Sequence, residues 1–223
     1  MTGCPAWYDL ALVNNTTLSD NGWNLKKICI SDPANPKNYY LVKTLIEKMH
    51  ELFSQAKITF VFHRAVQSDM EVELGKKLLE YEYVDVKRLS SSVESFSLYN
   101  RCDLHIGFRV HAHIYNLSQR KKSILIEEDG RGAGVNEVLG LPPLLAYNDE
   151  NQIVYGQQND LYGKIVRRLS KKFKNDKNDF IKEQVDSYID TMIQTNGLYY
   201  QNAFFLMNEY YKTMDKYIAS LAE

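Results

Sequence analysis

Between residues 26 and 145 the chain repeats one unit: a short apolar run, a turn, and a stretch whose apolar positions recur every three or four residues. The runs are Ile28 to Ile30, Ile58 to Phe62, Val84 to Leu89, Leu104 to Phe108 and Ser123 to Ile126. Runs this short and this apolar suit strands buried on both faces, and the period between them suits helices lying across those faces. The clearest helix is Tyr39 to Phe53, where Leu41, Val42, Leu45, Ile46, Met49 and Leu52 form one stripe. Glu71 to Tyr81, a Ser-capped segment reaching Arg101 with Glu94 in its first turn, and Val110 to Arg120 follow the same rule. Strand and helix in alternation predict an α/β fold: a Rossmann-like parallel sheet with helices on both faces, over residues 26–145.

The flanks read differently. Residues 1–25 are rich in Asn, Thr, Ser and Gly without a lasting period and are expected to be a lead-in or linker. Residues 146–223 show helical periods only and are expected to form a C-terminal helical extension. Within it, Leu161, Ile165, Leu169 and Phe173 stand four apart, opposite a face rich in Lys and Arg. Lys164 to Lys177 holds seven basic residues against one acidic, a local +6 in a chain of net charge −1, so −7 lies elsewhere. The basic face over 161–175 has two readings, a solvated surface or a peripheral contact with anionic lipid. A further helix is expected over 179–194. Another follows Asn196-Gly197, with Phe204, Met207, Tyr211 and Met214 on a face that covers the sheet or joins a second subunit.

At 223 residues, 44% hydrophobic and 25% charged, the chain has the make-up of a globular protein with a core and not of a disordered one. No run approaches the ~20 apolar residues of a membrane span, and the first residues lack the layout of a secretory signal. A cytoplasmic location is expected, with the inner face of the membrane as the place where the basic helix would act. Cys4, Cys29 and Cys102 are far apart and odd in number, so reduced thiols are expected rather than a disulfide framework or a metal site. A slightly acidic total with no recognised motif disfavours nucleic acid as a partner.

In an open parallel sheet, ligands bind beyond the carboxyl ends of the strands. The segment Asp103 to His113 runs a strand into Gly107 and sets Arg109 and His111 at the first turn of the next helix. Unpaired N–H groups and the positive end of the helix dipole favour an anion there. Arg109 adds a planar fork for phosphate or carboxylate, and His111 a group that exchanges protons near neutral pH. The competing reading makes both of them surface residues. His105 is expected to be a core histidine, and for His113 a structural role is favoured over a functional one. A metal site at 105, 111 and 113 is disfavoured, because a strand-to-helix transition separates the first two and the last two lie on different helix sides. No metal or other cofactor is expected. Ser31 and Asp32, directly after the first strand, have two readings, a ligand contact or an ordinary Ser-Asp-Pro turn, of which the turn is favoured. His63 and Arg64 end a strand on the ligand edge. Glu127, Glu128 and Asp129 end the last one, ahead of a Gly-rich loop at Gly130, Gly132 and Gly134 that is only loosely like a phosphate cradle.

The order Asp103, Gly107, Arg109-Val110-His111-Ala112, helix, Ser123 to Ile126, Asp129 and Val138-Leu139-Gly140-Leu141 resembles the polysaccharide pyruvyl transferase family. Thr2-Gly3-Cys4-Pro5 and the run from Phe62 through His63 to Asp69 agree with it, while Val110 departs from the usual Leu. The resemblance implies a B-type glycosyltransferase-like fold of two Rossmann-like halves facing a cleft, this chain being the carboxyl-terminal half. It implies transfer of pyruvate from phosphoenolpyruvate to sugar hydroxyls, forming a ketal in surface polysaccharide biosynthesis. By that likeness Arg109 and His111 are catalytic and, with His63 and Asp129, bind the donor. The implied partners are an anionic small-molecule donor, a sugar or lipid-linked glycan acceptor, and either a separate N-terminal half or further copies of the chain. Two alternatives stand beside it: a nucleotide-sugar glycosyltransferase of the same architecture, and a non-catalytic glycan- or partner-binding domain.

Overall fold

The computed structural model describes residues 8–20, 22–64, 68–90, 92–146 and 177–221. Five strands, β1 (Lys27–Ser31), β2 (Lys57–Phe62), β3 (Val84–Arg88), β4 (Leu104–Gly107) and β5 (Lys122–Leu125), form one sheet in the order β3-β2-β1-β4-β5. Every neighbouring pair is parallel. The described helices are α1 (Tyr40–Leu52), α2 (Asp69–Leu78), α3 (Val110–Ser118), α4 (Gly130–Leu139), α5 (Lys177–Gln194) and α6 (Leu198–Ser220). The α/β arrangement is the one the apolar runs predict.

Side chains alternate across each strand. Ile28, Ile30, Ile58, Phe60, Leu104 and Ile106 therefore share one face, all fully buried. They meet the stripe Leu41, Leu45 and Met49 of α1, Ile181 and Val185 of α5, and Phe204 and Met207 of α6 in one continuous core. Each such side chain contributes roughly 1.5–3 kcal/mol by leaving water, which fixes α1, α5 and α6 to this face.

The other face is mixed. Cys29, Val61, Tyr99, Cys102 and Ala112 form a small apolar group, and Ser31, His105 and Ser123 are buried beside it. The segment expected to be an α-helix before β4 is a 3-10 helix over Val93–Arg101. Its serines explain the change: Ser95 Oγ donates to the carbonyl of Ser92 at 2.6 Å and to that of Ser90 at 3.4 Å. Such local partners compete with the α-helical pattern.

Two further expectations are corrected. Cys29 and Cys102 are joined in a disulfide, with Cα atoms 5.9 Å apart. They lie 73 residues apart in sequence, but β1 pairs with β4 and the chain enters β4 beside β1, where Asp103 N–H donates to Lys27 O at 2.8 Å. Spacing along the chain carries no trace of that neighbourhood. The Gly-rich stretch from Gly130 is the first half of α4 and not a loop; Asp129 caps it, accepting from Arg131 N–H at 2.9 Å.

Described residues of the lead-in are irregular but packed. Leu18 and Leu25 join the core. Arg120, almost fully buried, donates to Asn15 O at 2.7 Å, Leu12 O at 3.1 Å and Asn208 Oδ1 at 2.8 Å, tying the lead-in to the end of α3 and to α6. Thr2 to Pro5 and the basic helix expected over 161–175 lie outside the described residues. Among the described residues no helix is long and apolar enough to cross a membrane.

Candidate functional site

From β1 the chain steps outward to β2 and β3, then returns to lay β4 on the other side of β1. The connections leaving β1 and β4 diverge, and the crevice between their carboxyl ends is where such sheets bind ligands. Ser31 and Asp32 reach it from β1, and Gly107 to His111 from β4 and α3.

Gly107 sets how close these two strand ends lie. Its φ is +150°, and a Cβ there would stand 2.5 Å from Ser31 Oγ and 2.6 Å from the Ser31 backbone. Only glycine accepts both conditions. The approach lets Ser31 Oγ accept the N–H of Arg109 at 3.1 Å.

Asp32, read from sequence as part of a turn, is fully buried beneath Arg109. Its carboxylate accepts Nε–H of Arg109 at 2.8 Å, Nη2–H at 2.7 Å and the backbone N–H of His63 at 3.1 Å. Burial pushes the Asp32 carboxyl up from its ordinary value, and the hydrogen bonds and charge of Arg109 oppose that rise. Burial works against the Arg109 charge, but Asp32 outweighs it and the guanidinium is held above its ordinary value. Nη2 also donates to Pro33 O at 3.2 Å, while Nη1 has no hydrogen bond among the described residues. The Arg109 fork is thus already engaged, with one edge left over.

A cavity of 140 Å³ opens at this point, lined by Arg109, Val110, His111, Glu128, Asp129 and Arg131 among others. His111 is exposed on the first turn of α3, a helix whose start has no side-chain cap. Glu128 pins the loop after β1 to the end of β5, accepting from Ala34 N–H at 2.7 Å, Asn35 N–H at 3.2 Å and Asn38 Nδ2 at 2.6 Å. Burial raises its carboxyl, and those hydrogen bonds counteract. Asp129 also receives both Nε (3.1 Å) and Nη2 (2.6 Å) of Arg131, which lowers its pKa.

Of the residues singled out in the sequence, Arg109, His111 and Asp129 line one cavity. His63 stands behind Asp32, its Nε2 2.6 Å from the Tyr99 hydroxyl. Burial, reinforced by the charges of Arg109 and His111, pushes its pKa down to about 3, so it is neutral around pH 7. His105 is a core histidine, as expected, and His113 is buried beside it. The ring of His105 bridges Ser31 Oγ (3.0 Å) and Ser123 Oγ (2.7 Å), and His113 Nδ1 lies 2.8 Å from the same Ser123 Oγ. This buried chain supports the serine that holds Arg109. Burial pushes His105 well down and His113 to about 3. Among the described residues no three His, Cys, Asp or Glu side chains are placed to hold a metal ion.

Sequence reasoning missed Tyr99, favoured a turn over a ligand contact for Asp32, and named Glu128 only as part of a strand end. The one available signal was an acidic residue directly after the apolar run of the first strand, at the edge where ligands bind.

No protein-family model matches the sequence, and no curated protein does. Among solved structures, apo OtsA is similar at a TM-score of 0.50 and 11% identity, over 91% of this chain and 45% of that one. The likeness is one of fold. The co-structure of S. aureus MnaA with UDP aligns at a TM-score of 0.43 and 10% identity, over 81% of this chain and 43% of the other. The chain spans less than half the length of either structure.

Proposed function

We propose that this chain is the donor-binding half of a transferase that moves pyruvate from phosphoenolpyruvate to sugar hydroxyls. The observation that carries the reading is the convergence of the uncapped α3 start, Arg109 and His111 on one cavity at the switch point of the sheet. A helix start of this kind suits a phosphate. At 140 Å³ the cavity falls below the ~300–1,000 Å³ usual for small-molecule sites, which favours a compact donor over a nucleotide sugar within this half. The likeness of fold to OtsA supports the glycosyltransferase-like architecture of the reading.

In this reading the phosphate rests on the α3 N–H groups and on the remaining edge of Arg109, whose orientation Asp32 fixes. His111 gives a proton to the enol CH₂ carbon, leaving a methyl group and a cation on the adjacent carbon. A sugar hydroxyl attacks that carbon and loses its proton. Phosphate departs with its bonding pair, and a second hydroxyl closes the ketal with loss of another proton. One phosphate is released per ketal. Proton transfer of this kind contributes ~100- to 10,000-fold, and the helix start stabilises charge on the leaving phosphate.

A thermal-shift series tests the reading. Phosphoenolpyruvate at about 100 times its Kd should stabilise the chain by ~2.7 kcal/mol, several degrees in Tm, and the shift should vanish in Arg109→Gln and His111→Gln measured against their own baselines. A shift with a nucleotide sugar instead would select the glycosyltransferase alternative. Glycan binding with neither donor would select the non-catalytic one.

A further inference from the structure

The slim 3-10 helix Val93–Arg101 leaves part of the sheet face opposite α1 open across β1, β2 and β3. A cavity of 630 Å³ lies there, lined by Lys27, Lys57, Lys87, Arg101, Asp85 and Asn100 among others. Lys27 and Lys57 begin their strands, whereas the cavity of Arg109 and His111 lies beyond the carboxyl ends. The two cavities share no lining residue.

A parallel sheet is normally covered by apolar packing on both faces, yet the odd positions here are Lys27, Lys57, Thr59, Asp85 and Lys87. Lys27 and Lys57 are direct partners in the β1–β2 register. Adjacent strands lie ~4.8 Å apart, so two like charges stand side by side on one face, an arrangement that is unfavourable without a counter-charge. Asp85, the one acidic residue of the lining, pairs with Lys87 at 3.1 Å. Neither Lys27, Lys57 nor Arg101 has an ion-pair partner among the described residues. Arg101 faces the two lysines from the 3-10 helix, held beside the sheet by the neighbouring Cys29–Cys102 disulfide. Ser95, Ser97 and Asn100 add neutral hydrogen-bonding groups on the same side. The volume is within the ~300–1,000 Å³ usual for small-molecule sites.

We propose that this cavity binds a small soluble polyanion carrying at least two phosphate groups, spanning from the Lys27–Lys57 pair to Arg101. Three cations on one cavity without ion-pair partners among the described residues call for more than one anionic group on the ligand, and the planar Arg101 fork suits phosphate oxygens. The site is independent of the proposed donor cavity.

Isothermal titration of the full chain at low salt with inorganic tripolyphosphate tests it. The expected result is saturable one-to-one binding. It should weaken at least ~10-fold in the double variant Lys27→Gln/Lys57→Gln and in Arg101→Gln, each having lost charge-assisted hydrogen bonds. It should be unchanged in His111→Gln, and all three variants should keep the parent's far-UV spectrum, since these side chains are exposed. Any of four results overturns the proposal: no saturable heat with millimolar anion; loss in His111→Gln with the lysine variants unaffected; citrate binding where tripolyphosphate does not; or binding confined to vesicles of anionic phospholipid.

Discussion

Lowering the pH from about 7.5 to about 5 perturbs three histidines that the fold holds neutral. His63 and His113 are pushed down to about 3 and His105 well below its ordinary value, in each case chiefly by burial. In the unfolded chain a histidine titrates near ~6.5. Between ~6.5 and ~3 the unfolded state therefore binds protons that the folded state does not, and stability must fall as pH falls. The contribution is fully present above ~6.5 and shrinks by about 1.4 kcal/mol per pH unit for each histidine. At pH 5 that is about 2 kcal/mol each for His63 and His113, about 4 for the two, with His105 acting in the same direction, against a total stability of ~5–15 kcal/mol for a folded protein. Asp32 and Glu128, held above their ordinary values, act in the opposite sense, so the raw profile mixes the two. A variant isolates one histidine. His113→Asn keeps a polar atom near Nδ1 for Ser123 and removes the titrating ring. It should be less stable than the parent at pH 7.5, and the gap measured by urea denaturation should narrow by about 2 kcal/mol at pH 5. A gap constant to within about 0.5 kcal/mol would mean that His113 titrates alike in both states, and would refute the reasoning.

Gly107→Ala combines a backbone conformation closed to alanine with a Cβ 2.5–2.6 Å from Ser31; strain and overpacking at ~1–3 kcal/mol each should lower Tm by ~10 °C. Gly130→Ala, whose Cβ would meet nothing within 4 Å, is the control and should leave Tm unchanged or raised. For the disulfide, thiol titration of the unfolded, unreduced chain should find one reactive cysteine, Cys4, and a count of three would remove the Cys29–Cys102 bond. Because the bond closes a loop of 73 residues, reduction should destabilise the chain by roughly 4 kcal/mol, read from denaturation with and without reductant.

The strands and α1 were legible because the strand face turned to the core must be apolar, as Ile28, Ile30, Ile58, Phe60 and Phe62 are, and a helix on that face must be striped. The segment 93–101 was misread because its serine side chains serve the backbone locally, a contest that hydrophobic period does not register. Gly130 to Gly134 was misread because glycine usually marks a loop. In the structure a Cβ at Gly132 would sit 3.3 Å from Leu125 Cδ2, so the residue permits α4 to lie against β5. Arg109 and His111 were legible from their place between strand and helix alone. Asp32 was not, since Ser-Asp-Pro makes a turn equally well, and only the pairing of Ser31 with Gly107 across β1 and β4 carries it beneath Arg109.

That pairing also decides what Arg109 contributes. A buried ion pair is a weak source of stability, because removing both charges from water offsets most of their attraction. Its consequence here is orientation. Two consecutive residues at the end of β1 hold Arg109: Ser31 Oγ takes the backbone N–H, and Asp32 takes Nε–H and Nη2–H along one edge of the guanidinium. Ser31 ends the central strand and Asp32, fully buried, follows it directly, so Arg109 is fixed from the core side of the sheet edge. The same contact balances its charge, just as Asp129 balances Arg131. In the proposed reading, attraction for the donor phosphate therefore rests mainly on the uncapped start of α3, and Arg109 sets the direction from which that start can be approached.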